Sequence, residues 1–269
     1  MRIPEKDLPI AEYHASERVS TSKLKDFEDR GPRYYYARYV AKTIQPDPDT
    51  QAYAVGRAAE DYLRFALTND PRHLAAYAVR PDELDGRTKA GKEWLAEHKG
   101  KTILGGADEY ACRMIAENAL ANEDLRPLLE SAEAQVTFTG KLSGMPAQSR
   151  PDFVVDREAL SLDLKTTNDL AAMASGSRVL SYRYHAQAAL VCGLGDVTRA
   201  ALIVAEKAAP YRVELHYLDP EFLSIGDTWN REQSEKLAQC AASGRWPLTS
   251  TPVRTVSPPR YAYPRDEAW

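Results

Sequence analysis

The chain has 269 residues, with 35 Lys and Arg against 39 Asp and Glu, a formal net charge of −4 and a pI near 5.8. Hydrophobic residues at 43% and charged residues at 28% exclude a fibrous or disordered chain, and the length suffices for a sizeable core. Three dispersed cysteines, Cys112, Cys192 and Cys240, exclude a disulfide scaffold and a four-cysteine metal site from one chain, while the acidic balance speaks at first against a phosphate-rich partner.

The N-terminal segment carries Arg2, Glu5 and Asp7 where a secretory signal needs an apolar stretch. The longest apolar runs, such as Ala200 to Ala205, fall far short of the roughly 18 residues of a membrane helix, so a cytoplasmic protein without membrane contact is expected. Ser20, Thr21 or Ser22 caps a first helix carrying Leu24 and Phe27, and Gly31-Pro32 ends it. The run Tyr34-Tyr35-Tyr36, with Arg38 and Tyr39, is read as core packing, with stacking on a frayed DNA end as its rival. A helix is expected from Ala52 to Leu67, where Ala59, Leu63 and Leu67 recur every fourth residue. A short strand at Tyr77–Arg80, a basic helical stretch capped by Thr88, a helix from Ala107 to Ala121 and a break at Pro127 follow.

From residue 132 the periodicity becomes strand-like. Strands are expected at Gln135–Phe138, Asp152–Val155 and Leu160–Thr166, the last two joined by a turn over Arg157-Glu158-Ala159. A helix at Tyr182–Cys192, strands at Ala200–Ala205 and Tyr211–Tyr217, and a helix from Pro220 to Ala242 complete the order. This order implies an α/β or α+β fold, a central mixed sheet flanked by helices, with a helical N-terminal half. Residues 1–243 read as a single domain, helical over 1–131 and sheet-cored over 132–243. Residues 244–269 hold five prolines and read as a flexible tail.

The segment with chemistry in it is Arg150-Pro151-Asp152 followed by Asp163-Leu164-Lys165. Residues two apart on a strand face one side, so Asp163 and Lys165 project together while Leu162 and Leu164 point into the core. Asp152 reaches the same spot if its strand pairs with theirs. Two carboxylates with a backbone carbonyl, such as that of Leu164, suit a hard cation like Mg²⁺ or Mn²⁺, and a lysine beside it suits phosphodiester hydrolysis. Taken alone, such a triplet is more often a solvated strand edge with an ion pair of little energetic value.

Pro151-Asp152, ten intervening residues, and Asp163-Leu164-Lys165 resemble the PD-(D/E)XK nuclease signature. The surrounding chain resembles the RecE-type exodeoxyribonuclease (exonuclease VIII-like) branch, through Ser20-Thr21-Ser22-Lys23-Leu24 with Gly31-Pro32, Arg87-Thr88-Lys89-Ala90-Gly91-Lys92, Tyr184-His185-Ala186-Gln187, and Glu206-Lys207 with Pro210-Tyr211. The resemblance implies a restriction-endonuclease-like core, with Asp152 and Asp163 as metal-binding acids and the Leu164 carbonyl as a further ligand. It makes Lys165 the catalytic lysine and Gln187 the glutamine that holds the lysine or a substrate phosphate. Glu133 sits where the family has an additional acid, with an ordinary strand acid as its rival reading. Glu60, in Gly56-Arg57-Ala58-Ala59-Glu60, stands where the family usually has a histidine, and Val191 where it often has an aromatic.

Residues 86–101, where Arg87, Lys89, Lys92, Lys99 and Lys101 outnumber Glu93 and Glu97, read either as a contact for DNA phosphates or as a solvated helix face, and Arg150 is a further candidate for DNA contact. The resemblance implies a Mg²⁺-dependent exodeoxyribonuclease, bacterial or phage-encoded, that resects double-stranded DNA ends 5′ to 3′ and leaves 3′ single strands for recombination. It also implies a single-strand annealing protein as partner and a homo-oligomeric ring. An endonuclease or repair nuclease of the same fold, and a non-catalytic DNA-end-binding protein with a degenerate site, are the alternatives.

Overall fold

The protein's structure is a computed structural model and describes residues 1–248. A short strand, β1 (Arg2–Ile3), and a short helix, α1 (Ile10–Ala15), precede α2 (Thr21–Arg30). Ser20 stands at the N-cap of α2, but its hydroxyl pairs with that of Ser22 at 3.0 Å instead of capping an amide. At Gly31, φ of +89° breaks the helix in a region that favours glycine. Pro32 opens α3 (Pro32–Tyr35), which continues as a π-type turn to Val40, so the tyrosine run is helical. Tyr35 is buried and stacks on Trp246 at 6.1 Å, which favours core packing for that residue and ties residue 246 of the expected tail to the body. The tail from 249 onward lies outside the described residues.

Helix α4 (Gln51–Thr68) is capped by the Thr50 hydroxyl and buries Val55, Ala59 and Leu63 at the expected four-residue spacing. β2 (Tyr77–Arg80), α5 (Lys89–Glu97) and β3 (Thr102–Gly105) make a βαβ unit with parallel strands, and Thr88 caps α5. A Cβ at Gly91 would lie 2.0 Å from the Asp85 carbonyl oxygen, so only glycine fits that first turn. α6 (Gly106–Ala121) and α7 (Arg126–Glu130), with Pro127 in its first turn, complete the helical half.

The second half contributes β4 (Glu133–Ala134), β5 (Thr137–Leu142), β6 (Met145–Ser149), β7 (Phe153–Val155) and β8 (Leu160–Thr167). Then come α8 (Leu170–Ala174), α9 (Ser177–Ser181), α10 (Tyr184–Leu194), β9 (Arg199–Glu206), β10 (Val213–Leu218) and α11 (Pro220–Ser243). Five strands form a mixed sheet in the order β10-β9-β8-β7-β4, in which only β8 and β9 run parallel. β1, β5 and β6 form a separate antiparallel sheet. The expected strand over 135–138 is therefore corrected: regular pairing starts at Thr137, in the smaller sheet, and Gln135 is turned out of line by a left-handed φ of +54°.

Strand β9 shows how the large sheet is covered. Ala201, Ile203 and Ala205 pack toward α4 and α6, whereas Ala200, Leu202 and Val204 pack toward α8, α9 and α10. One continuous core joins Ala59, Leu63, Ile115 and Leu129 of the helical half to Phe153, Leu162 and Ile203 of the sheet. α10 and α11 approach so closely that a Cβ at Gly226 would lie 2.4 Å from the His185 carbonyl oxygen. Beside that contact, the buried Asn230 amide donates to the Ala186 carbonyl at 2.7 Å. Among the described residues, no helix is long and apolar enough to cross a membrane.

Candidate active site

The short turn after β7 forces a hairpin with β8, with Phe153 opposite Leu162 and Val155 opposite Leu160. That register sets Asp152, just before β7, beside Asp163 and Leu164, and the Asp152 carboxylate accepts the Leu164 amide at 2.7 Å. Leu162 and Leu164 are core residues, and Asp163 and Lys165 share the opposite face, as the period-2 pattern requires. Helix α10 crosses that face and delivers Gln187, whose Nε2 donates to Asp163 at 2.8 Å while its Oε1 accepts from Lys165 at 3.2 Å. Lys165 also lies 3.4 Å from Asp163 and 4.9 Å from the centre of the Tyr184 ring. Tyr184 is one residue missed from the sequence.

From the other layer, α4 brings Glu60 to the Gln135 amide, which donates to it and lies 3.5 Å from Asp152. Gln135 thus bridges the two acids, and its left-handed backbone is what swings the side chain inward. Its signal in the sequence was faint: an amide in the otherwise apolar stretch between Ala134 and Val136.

Burial, reinforced by the neighbouring Asp163 charge, pushes the Asp152 carboxyl up to about 7. Burial and the Asp152 charge likewise hold Glu60 well above the usual carboxylate range. For Lys165, burial works to lower the pKa, but attraction to Asp163 and Asp152 outweighs it and holds the ammonium above its ordinary value. Without metal, Asp152 stays protonated in the fold up to about pH 7 but ionises in the unfolded chain near pH 4. The folded state then binds the extra proton, so stability falls as pH rises through that window. In EDTA the melting temperature is expected to drop between about pH 4 and 7. Asp152→Asn should flatten the slope, and parallel curves for the two proteins would contradict the assignment.

Two of the expected residues lie elsewhere. Glu133 is exposed on the edge strand β4 and pairs with Arg2 at 2.7 Å, because the turn at Gln135 leaves it outside the cluster. Arg150 is buried at 7% exposure, donating from Nε to Thr137 and from Nη2 to the Leu8 carbonyl. So held, it braces the N-terminal segment and is not a surface contact for DNA. Arg87 is paired with Asp85 at 2.7 Å, and Lys89 with Glu93 at 3.9 Å. Lys92 is exposed on the same helix, α5, which has no hydrogen bond or ion pair to the acidic cluster among the described residues. His185 is buried with Nδ1 3.1 Å from the Val179 carbonyl, a packing role.

Among the described residues, no three His, Cys, Asp or Glu side chains close on one point. The donor set is nonetheless all oxygen, two acids on the hairpin and a third on α4, with the Asp152 and Glu60 carboxyls raised by burial and, after it, by a neighbouring acid's charge. That chemistry fits a hard divalent cation, whose shell is commonly completed by main-chain and water oxygens.

Residues 20–256 match the family described as a PDDEXK-like domain of unknown function (DUF3799). Among solved structures, the chain is similar to a protein from Eubacterium rectale named provisionally as an exonuclease. The two share 15% identity and a TM-score of 0.65, over 96% of this chain and 97% of that one. A phage-related exonuclease from Haemophilus somnus 129PT gives a weaker likeness, with 11% identity and a TM-score of 0.34, over 69% of this chain and 94% of that one. Nothing among curated proteins matches the sequence.

Proposed function

Because the chain belongs to this PDDEXK-like family, we propose that it is a metal-dependent exodeoxyribonuclease acting on linear double-stranded DNA, 5′ to 3′, leaving 3′ single strands. The observation that carries the reading is the hairpin that sets Asp152, Asp163 and Lys165 together, with Gln187 bridging the last two. Asp152 and Asp163 would hold the cation, with the Leu164 carbonyl as a further donor and Glu60 beside them. Mg²⁺ is the first choice, with Mn²⁺ as a substitute. A bound divalent cation polarises the phosphate and lowers the pKa of water.

The chain's own groups have definable tasks. An ammonium has three N–H donors, and Lys165 directs two of them at Asp163 and Gln187. The third is left for a phosphate oxygen or an attacking water, which makes Lys165 an orienting and charge-stabilising group. Gln187 uses both ends of its amide, so its orientation is fixed and it holds Lys165 in place. No side chain is required to form a covalent intermediate. Lys92 and its neighbours on α5 would contact duplex phosphates away from the reacting centre. A single-strand annealing partner and a ring of subunits belong to the same reading.

The test is incubation of linear duplex, labelled at either 5′ or 3′ ends, with Mg²⁺ or Mn²⁺. The expected result is release from 5′ ends, no reaction in EDTA, and intact covalently closed circles. Cleaved circles would make the protein an endonuclease of the same fold. End binding without hydrolysis in either metal would make it a DNA-end-binding protein and overturn the catalytic reading.

A further inference from the structure

Beside the acidic cluster lies a set of aromatic rings that the hydrolytic chemistry does not use. Tyr184 stands against Lys165 and leads to Tyr182, with ring centres 5.5 Å apart and planes tilted by 36°. Tyr182 is 44% exposed. Cations surround it: Lys25 Nζ lies 5.8 Å from its ring centre, and Arg178 donates to its hydroxyl at 3.1 Å while remaining 3.8 Å from Asp169.

A third ring, that of Tyr53, stands on α4 in the opposite layer. Tyr53 is 69% exposed and stands seven residues before Glu60 on α4. Seven residues are two turns, which puts both on one face, roughly 10.5 Å apart along the axis. Between them, Gly56 abuts the Thr166 side chain, the residue after Lys165.

Tyr184 packs partly against the core, but the exposed rings of Tyr182 and Tyr53 gain little from it, and cations at the edge of an aromatic cluster are the composition of a single-strand binding surface. Every base has a π-face, so stacking on such rings tolerates any sequence, while the cations meet the backbone. A duplex keeps its base faces inside the helix and offers only its terminal pair.

We propose that Tyr182, Tyr184 and Tyr53 form a stacking platform for unpaired bases, so that the strand enters the Asp152–Asp163–Lys165 site single-stranded and the preferred substrate is a frayed or forked DNA end. The proposal rests on the nuclease reading for its placement at a reacting centre, but the binding it describes is measurable without hydrolysis. Tyr184 touches Lys165 and is left intact in the test.

Binding of fluorescein-labelled oligothymidylate, and of a blunt duplex with G·C ends, is measured with Ca²⁺ as an unreactive ion for wild type, Tyr182→Ala, Tyr53→Ala, the double variant and Tyr182→Phe. Tyr182→Ala should weaken oligothymidylate binding about 10-fold, the scale of losing one stacked base, and leave the blunt duplex almost unaffected. Tyr182→Phe keeps the ring and should bind as wild type does. With Mg²⁺, the double variant should raise KM for forked ends with little change in kcat. Wild-type oligothymidylate binding by the double variant would overturn the platform, and so would equal losses on single strand and blunt duplex. If no substrate is hydrolysed but the selective loss appears, the platform stands and the nuclease reading falls. If hydrolysis is robust and the double variant matches wild type on forked ends, the reverse holds.

Discussion

Lys165→Ala is expected to abolish metal-dependent hydrolysis of linear duplex, with kcat falling by about 10³-fold or more, the scale of removing a group that meets developing charge. The same substitution should also cost stability. Asp163 is 4% exposed at its side chain and Lys165 15%, so deleting the ammonium leaves a buried carboxylate with Gln187 as its one side-chain hydrogen-bond partner among the described residues. Breaking one side of a buried pair typically costs about 3–5 kcal/mol. The double change Asp163→Asn with Lys165→Met removes both charges and should recover most of that stability while remaining inactive. Urea unfolding beside a nuclease assay separates the two effects. An active Lys165→Ala protein would remove Lys165 from the chemistry, and an inactive double variant as unstable as the single one would remove the buried pair from the stability argument.

Gly226→Ala is expected to damage activity from outside the site. The added methyl would meet the His185 carbonyl at 2.4 Å, and backbone on one helix has nowhere to go except by moving the other. Overpacking of this kind costs about 1–3 kcal/mol. Gln187 is two residues beyond His185, so α10 would shift together with the group that fixes Lys165. A displacement near 1 Å can lower rate about 100-fold, so a loss of roughly 10- to 100-fold in kcat is anticipated. Ile225→Ala is the control, since Ile225 is 45% exposed and its truncation should leave both quantities near wild type. Full activity in Gly226→Ala would mean that Gln187 tolerates movement.

The hairpin was legible because its information is local. Alternating residues from Leu160 to Lys165 and a three-residue turn dictate a strand pair, and the pair dictates that Asp152, Asp163 and Lys165 meet. Helices α4 and α6 were legible for the same reason, within one residue at each end. Gln135 was not. Alternation carries through it, yet its φ of +54° ends one sheet and begins another, and no propensity marks glutamine for that conformation. The same turn removed Glu133 from the site. β1 and α1 escaped because two and six residues carry little periodicity, and β1 exists through pairing with Thr137 and Phe138 far along the chain. Arg150 looked like a surface cation because burial of an arginine depends on distant carbonyls and hydroxyls, here those of Leu8 and Thr137.

Glu60 arrives on α4, from the half of the chain that holds most of the helices, while Asp152, Asp163 and Lys165 arrive on the sheet, and both parts share one core. A gene divided between Ser131 and Ala132 would encode two polypeptides, each with an open apolar face and an incomplete set of acids. Neither would survive or work alone. Fused to domains that associate on addition of a small molecule, the two pieces would reassemble on command, and the returning hydrolysis would report the union.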